Sequence, residues 1–206
     1  MKTLPILASL ICATPALATT YTLEPDYTQV VFGWDHLGFS HPTAQIAQGT
    51  GTLEFDPMQP TMASLHVALP VGLLATGVPG LDEHLKSEDF FDVMRFPQAS
   101  FVSTRVVKGS GEDRLAVTGN LTIHNVTRPV TLDVHVLKVG TNPRSEVATV
   151  GFAATARIKR SDFGLGAFVP QVSDEISLQI SCQGAESKAY AAFLKAKEEK
   201  EQAKKR

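Results

Sequence analysis

The stretch from Leu115 to Val136, "LAVTGNLTIHNVTRPVTLDVHV", decides the fold. In its first half Leu115, Val117, Gly119, Leu121 and Ile123 alternate with Ala116, Thr118, Asn120, Thr122 and His124. In its second half Val130, Leu132, Val134 and Val136 alternate with Thr131, Asp133 and His135. Successive side chains of an extended chain point to opposite faces, so this period of two means strand. The two runs predict an antiparallel hairpin whose turn is Asn125 to Pro129.

The same alternation extends outward along the chain. Val30, Phe32, Trp34 and His36 share one face of a predicted strand, and Leu65, Val67 and Leu69 share a face of another. Val150, Phe152, Ala154, Ala156 and Ile158 mark a third; Ile176, Leu178 and Ile180 mark a fourth, expected to end at Cys182. Such strands form antiparallel sheet with one apolar and one wet face, and closing it into a barrel removes its exposed edges. The fold class is therefore all-β, an antiparallel barrel. Only Pro79 to Val93, "PGLDEHLKSEDFFDV", breaks the period. There Leu81 and Leu85, then Phe90 and Phe91, suit short helical turns, with Ser87 as cap of the second. The Ala-, Lys- and Glu-rich chain after Ala185 predicts a terminal helix, packed onto the barrel by Tyr190, Phe193 and Leu194.

The chain begins with Lys2, an apolar run from Leu4 to Ala13 and then Ala16-Leu17-Ala18, the pattern of an export signal cut after Ala18. Cys12 lies inside that segment behind the bulky Leu10 and Ile11, which does not suit lipid attachment. The expected organisation is a signal over residues 1–18, one barrel domain over 19–185 and a charged helical tail over 186–206. Without the signal Cys182 is the single cysteine, so no disulfide forms within one chain and a packed core must supply stability. The net charge of -2 conceals an acidic body, because residues 19–186 hold 11 basic and 18 acidic side chains. Such a body argues against nucleic acid, which needs a clustered basic face. The tail, with seven Lys/Arg, could touch an anionic membrane surface transiently. A homodimer is compatible with this reading.

No catalytic set emerges. Asp162-Phe163-Gly164 spells the magnesium tripeptide of protein kinases, but the glycine-rich loop, strand lysine and catalytic-loop aspartate that should precede it are missing. Ser161, Asp162, Gly164 and Gly166 instead suit a strand-ending turn that tucks Phe163 inward. No Gly-x-Ser-x-Gly elbow occurs, and Cys182 suits a small buried hydrophobe. The carboxylates Asp82, Glu83, Glu88, Asp89 and Asp92 suit the wet side of an amphipathic lid. His124, Asp133 and His135 fall on one polar face and form the one metal-site candidate, for a metal-linked stress protein, though without ligand spacing. We expect no metal and no cofactor. His36 is the one titratable candidate for an enzyme acting on a bound lipid, although a hydrogen-bonded core histidine is the more economical reading.

The inward positions carry many aromatic residues: Phe32, Trp34, Phe90, Phe91, Phe96, Phe101, Phe152, Phe163 and Phe168. They either fill the core or line a cavity, since a barrel of about eight strands is just wide enough to hold one small ligand. The remaining lining candidates are His36, Leu81, Leu85, Leu121 and Ile123.

Four stretches carry a family resemblance. They are Trp34-Asp35-His36-Leu37-Gly38-Phe39-Ser40, Leu81 to Asp92 with Phe96-Pro97 and Phe101, Gly119 to Leu132, and Arg160-Ser161-Asp162-Phe163-Gly164. In this order they resemble the YceI-like family over about Tyr21 to Cys182. The resemblance implies a lipocalin-like barrel, periplasmic in bacteria, that binds a polyisoprenoid or similar amphiphilic lipid, such as an isoprenoid quinone, and has no enzymatic activity. On this reading the lipid lies along the interior, its polar head at the mouth near His36, Arg160 or Asp162, with Leu81 to Val93 as lid or wall. Asn125 stands where members usually carry glycine and tolerates the same left-handed conformation.

Overall fold

The computed structural model describes residues 18–205. The expected signal, apart from Ala18, lies outside the described residues. Ten strand segments follow: β1 (Thr19–Leu23), β2 (Gln29–Gly33), β3 (Thr43–Ile46), β4 (Thr50–Phe55), β5 (Ser64–Pro70), β6 (Gln98–Lys108), β7 (Arg114–Ile123), β8 (Val126–Thr141), β9 (Ala148–Lys159) and β10 (Glu175–Glu186). Two helices join them, α1 (Pro79–Lys86) and α2 (Ser187–Lys204). All neighbouring pairs are antiparallel.

Ten segments make eight staves. The first half of β10 pairs with β2, from Ser177 opposite Gly33 to Ser181 opposite Gln29, and its last residues pair with β1, Gly184 opposite Leu23. β1 and β2 are thus one stave broken by the 3-10 turn Pro25–Tyr27, where Pro25 cannot donate to a ladder. β3 and β4 make a second broken stave, pairing with β2 and β1 in turn. The β1–β10 pairing closes the ring as a lipocalin-like eight-stranded barrel.

The staves run alternately up and down, which sorts the connections. At one end lie residues 34–42, 71–97, the β7–β8 turn and residues 160–174. These connections hold residues 34–40, 81–92 with Phe96-Pro97, and 160–164 of the stretches that carry the family resemblance, and the turn of the fourth, Gly119 to Leu132. The other end is plugged by Tyr21, Leu23, Leu53, Phe55 and Val150, with Phe152 edge-on to Phe55 at 5.5 Å. The barrel thus has a mouth and a closed end.

Several local expectations need correction. The β7–β8 turn is His124-Asn125, not Asn125 to Pro129, and Val126 to Pro129 already pair with β7. Both turn residues have positive φ, 51° and 59°, the conformation that a tight two-residue hairpin demands. Ser87 caps no second helix. Its N–H and its hydroxyl both donate to the His84 carbonyl, at 3.2 and 2.8 Å, and end α1. β10 runs four residues past Cys182 to Glu186, whose carboxylate accepts from Lys188 and Ala189 N–H and starts α2. That helix leaves from the closed end. Tyr190 and Phe193 are half-buried, whereas Leu194 is exposed, because the packed stripe ends within two turns.

Candidate functional site: an apolar barrel interior

Above the closed-end plug the staves surround a cavity of about 530 Å3, within the size range of small-molecule pockets. Twelve of the fourteen lining candidates border it: Phe32, Trp34, His36, Leu81, Leu85, Phe90, Phe91, Phe101, Leu121, Ile123, Phe163 and Phe168. Phe96 and Phe152 do not. Phe96 lies outside, edge-on to His124 at 4.5 Å and beneath the Arg95 guanidinium. Phe152 has the right parity but sits too low, in the plug.

Alternation puts Phe32 and Trp34 inward, and backbone geometry makes room for Phe101 of β6. Phe101 lies over Gly119, where an added Cβ would come within 2.4 Å of its ring and 2.6 Å of the Val102 carbonyl. Leu85 of α1 packs with Phe32 and Ile176 beneath the mouth, so the 81–93 segment is wall as much as lid. Asp82 fixes the start of α1 by accepting from the Thr76 hydroxyl and N–H at 2.5 and 2.6 Å. Those bonds hold its carboxyl below the usual range.

The mouth is laced by the 34–42 and 160–174 connections. Asp35 N–H donates to Ser173 Oγ at 2.9 Å, Ser173 N–H to Asp35 O at 3.0 Å and Leu37 N–H to Gln171 O at 3.2 Å. His36 is at this rim and exposed, so the buried-core reading of it is overturned: the stave has already passed beyond the core. His84, which the sequence reading missed, stands edge-on to Phe90 at 4.9 Å and also lines the cavity.

Arg160 and Asp162, both expected near the polar head, differ in burial. Arg160 is buried, donating Nε to Ser173 O at 2.8 Å, Nη2 to Val172 O at 3.0 Å and Nη1 to Leu165 O. Burial lowers its pKa from the ordinary value, with the Asp174 charge opposing. Asp162 is exposed and borders no part of the cavity. Asp174, and not Asp162, anchors the turn, accepting from Ser161 N–H at 2.9 Å and Ser161 Oγ at 2.7 Å. Burial alone would raise the Asp174 carboxyl, but these bonds and the Arg160 charge hold it below its usual range. "RSDFG" is a 3-10 turn, Arg160–Phe163, closed by Gly164 at φ 79°, with Phe163 1% exposed.

The proposed metal trio is not assembled. His124 sits in the β7–β8 turn, whereas Asp133 and His135 lie more than six residues down β8, about 20 Å away at strand rise. Among the described residues no group of three metal-ligating side chains comes together.

The YceI-like domain model matches residues 21–184. The chain belongs to the YceI-like family. The protein YceI of Salmonella arizonae is 35% identical over 185 residues, spanning 88% of this chain and 95% of that protein. The YceI protein of Campylobacter jejuni, a solved structure, is 25% identical with a TM-score of 0.64, covering 75% and 90% of the two chains. BcnA of Burkholderia cenocepacia shares the fold at 24% identity and a TM-score of 0.67, covering 76% and 95%. So does a polyisoprenoid binding domain from Saccharophagus degradans, at 13% and 0.64, covering 84% and 100%. The four YceI-like motifs are distant in sequence and meet at one rim.

Proposed function

We propose that this protein is a periplasmic carrier that holds a polyisoprenoid or other amphiphilic lipid, an isoprenoid quinone, prenyl alcohol or fatty-acyl molecule, in its barrel. The observation that carries the reading is the cavity itself, walled by aliphatic and aromatic side chains and reached through one rim. The export signal read in residues 1–18 supports the location. A lipid-binding role agrees with family membership; the Saccharophagus degradans domain, called polyisoprenoid-binding, is a likeness of fold.

Burial of apolar surface drives uptake, at about 25 cal/mol per Å2 or roughly 0.8 kcal/mol per CH2. Affinity then rises roughly fourfold with each buried CH2 until the cavity is full. The protein binds its cargo and does not convert it. Arg160 is committed to three carbonyls, and burial pushes the Cys182 thiol up to about 11, leaving it protonated and a poor nucleophile.

Native mass spectrometry of protein taken from the periplasm, followed by organic extraction, tests the reading. One isoprenoid or acyl species per chain is expected. Protein that arrives empty and takes up no prenyl chain overturns it.

A further inference from the structure

At the blind end of the cavity the wall changes chemistry. Thr28 follows the 3-10 turn that breaks the first stave, in the inward register of Val30, Phe32 and Trp34, and it lines the cavity while only 3% exposed. Its backbone is spent. The N–H donates to Pro25 O at 3.4 Å and the carbonyl accepts from Gly49 N–H at 3.0 Å. Its hydroxyl oxygen is buried with no nitrogen or oxygen partner, and its side chain lies close enough to the Cys182 thiol to oppose the rise that burial gives that group. The one other such oxygen among the described residues, Asp56 Oδ2, does not border the cavity.

Opposite lies a thiol. The β2–β10 register ends at Gln29 opposite Ser181, so one step further sets Thr28 against Cys182, which also lines the cavity. The neighbouring Gln29 is not free, because its amide oxygen accepts from Gln45 Nε2. A hydroxyl left without a full partner in carbon surroundings is destabilising, and a small-molecule partner would recover that loss. Thr28 stands eight residues below His36, about 25 Å along an extended stave.

We propose that Thr28 and Cys182 form a polar foot at the blind end of the cavity, which takes one hydrogen-bonding oxygen of the ligand, a hydroxyl or carbonyl. The amphiphile then enters polar end first, with its hydrocarbon filling the aromatic section toward the mouth. This rests on the lipid-carrier reading and gives it an orientation opposite to the head-at-mouth expectation. The foot sets specificity: it rejects a pure hydrocarbon, which would leave the hydroxyl unpaired.

The test compares a prenyl alcohol with the prenyl hydrocarbon of the same carbon count, on wild type, Thr28→Val and Thr28→Ser. Wild type should prefer the alcohol by about tenfold. Thr28→Val, of similar shape, should lose that preference by gaining affinity for the hydrocarbon, and Thr28→Ser should keep it. The Cys182 S–H stretch in the infrared should shift with alcohol and not with hydrocarbon. Equal binding of both ligands by wild type, or a preference that survives Thr28→Val, overturns the polar foot and leaves the carrier reading standing. If neither ligand binds, both fall together.

Discussion

Phe90 and Phe168 stack across the mouth of the barrel, ring centroids 6.2 Å apart and planes 26° from parallel. Phe90 comes from the β5–β6 connection and Phe168, 60% exposed, from the β9–β10 connection, so the pair bridges two loops that share no ladder. Phe168→Ala should speed release of a bound prenyl chain about tenfold while leaving the folded barrel intact. A double-mutant cycle with Phe90→Ala should give a coupling of about 0.5–1.5 kcal/mol in the release barrier. Additive effects would mean that the rings do not act as a latch.

Gly119 has no room for a side chain. Gly119→Ala should destabilise the barrel by about 1–3 kcal/mol, because the new Cβ meets both the Phe101 ring and a backbone carbonyl that cannot turn aside. The urea midpoint should fall accordingly. An unchanged midpoint would mean that β6 can shift away from β7.

Arg160 holds the 160–174 connection by three carbonyls, so Arg160→Gln should cost about 3–5 kcal/mol. Arg160→Lys should recover little of this, since an ammonium lacks the planar fork. Asp162→Asn should stay within about 0.5 kcal/mol. Thermal unfolding of the three variants checks the order. A large effect at Asp162 would mean that this exposed carboxylate also holds the turn.

Asp174 makes the same connection acid-sensitive. Its carboxyl is held below its usual range, so the stabilisation it gives is present above the unfolded value, about 3.9, and is lost as pH falls through the lower folded value. Hydrogen exchange in residues 160–174 should accelerate on acidification before the rest of the barrel opens. In Asp174→Asn this step should vanish.

Cys182 acts in the opposite range. The folded thiol keeps its proton up to about 11, whereas an unfolded thiol loses it at about 8.5. The resulting stability is complete below that lower value and declines as pH climbs toward the folded one. The urea midpoint should therefore drop between about pH 8.5 and 11, and Cys182→Ala should remove this component of the drop. Iodoacetamide should modify the wild-type thiol slowly at neutral pH, and more slowly still with lipid bound.

Much of this molecule was legible in the order of its residues. Period-two runs marked the long strands, since a pleated chain has only two faces. The excess of aromatics on one face placed most of the cavity wall, and Ser161 to Gly164 announced a turn through residues that favour one. The polar groups were less legible. His36 shares the parity of Phe32 and Trp34 yet lies beyond the core. Phe152 shares the parity of its strand's inward face yet belongs to the plug. Parity gives the side of a strand but not the height in the barrel, which depends on tilt and stagger of the staves.

The sequence by itself determined an antiparallel β-barrel and an apolar interior, because alternation and side-chain hydrophobicity are local properties that any pairing must satisfy. Only the tertiary structure decided that Asp174 lies beside Arg160, and that Thr28 faces Cys182 at the blind end. Those relations depend on which strands meet and in which register. The Arg160 acceptors are backbone carbonyls, and since every residue carries one, no pattern of side chains could single them out.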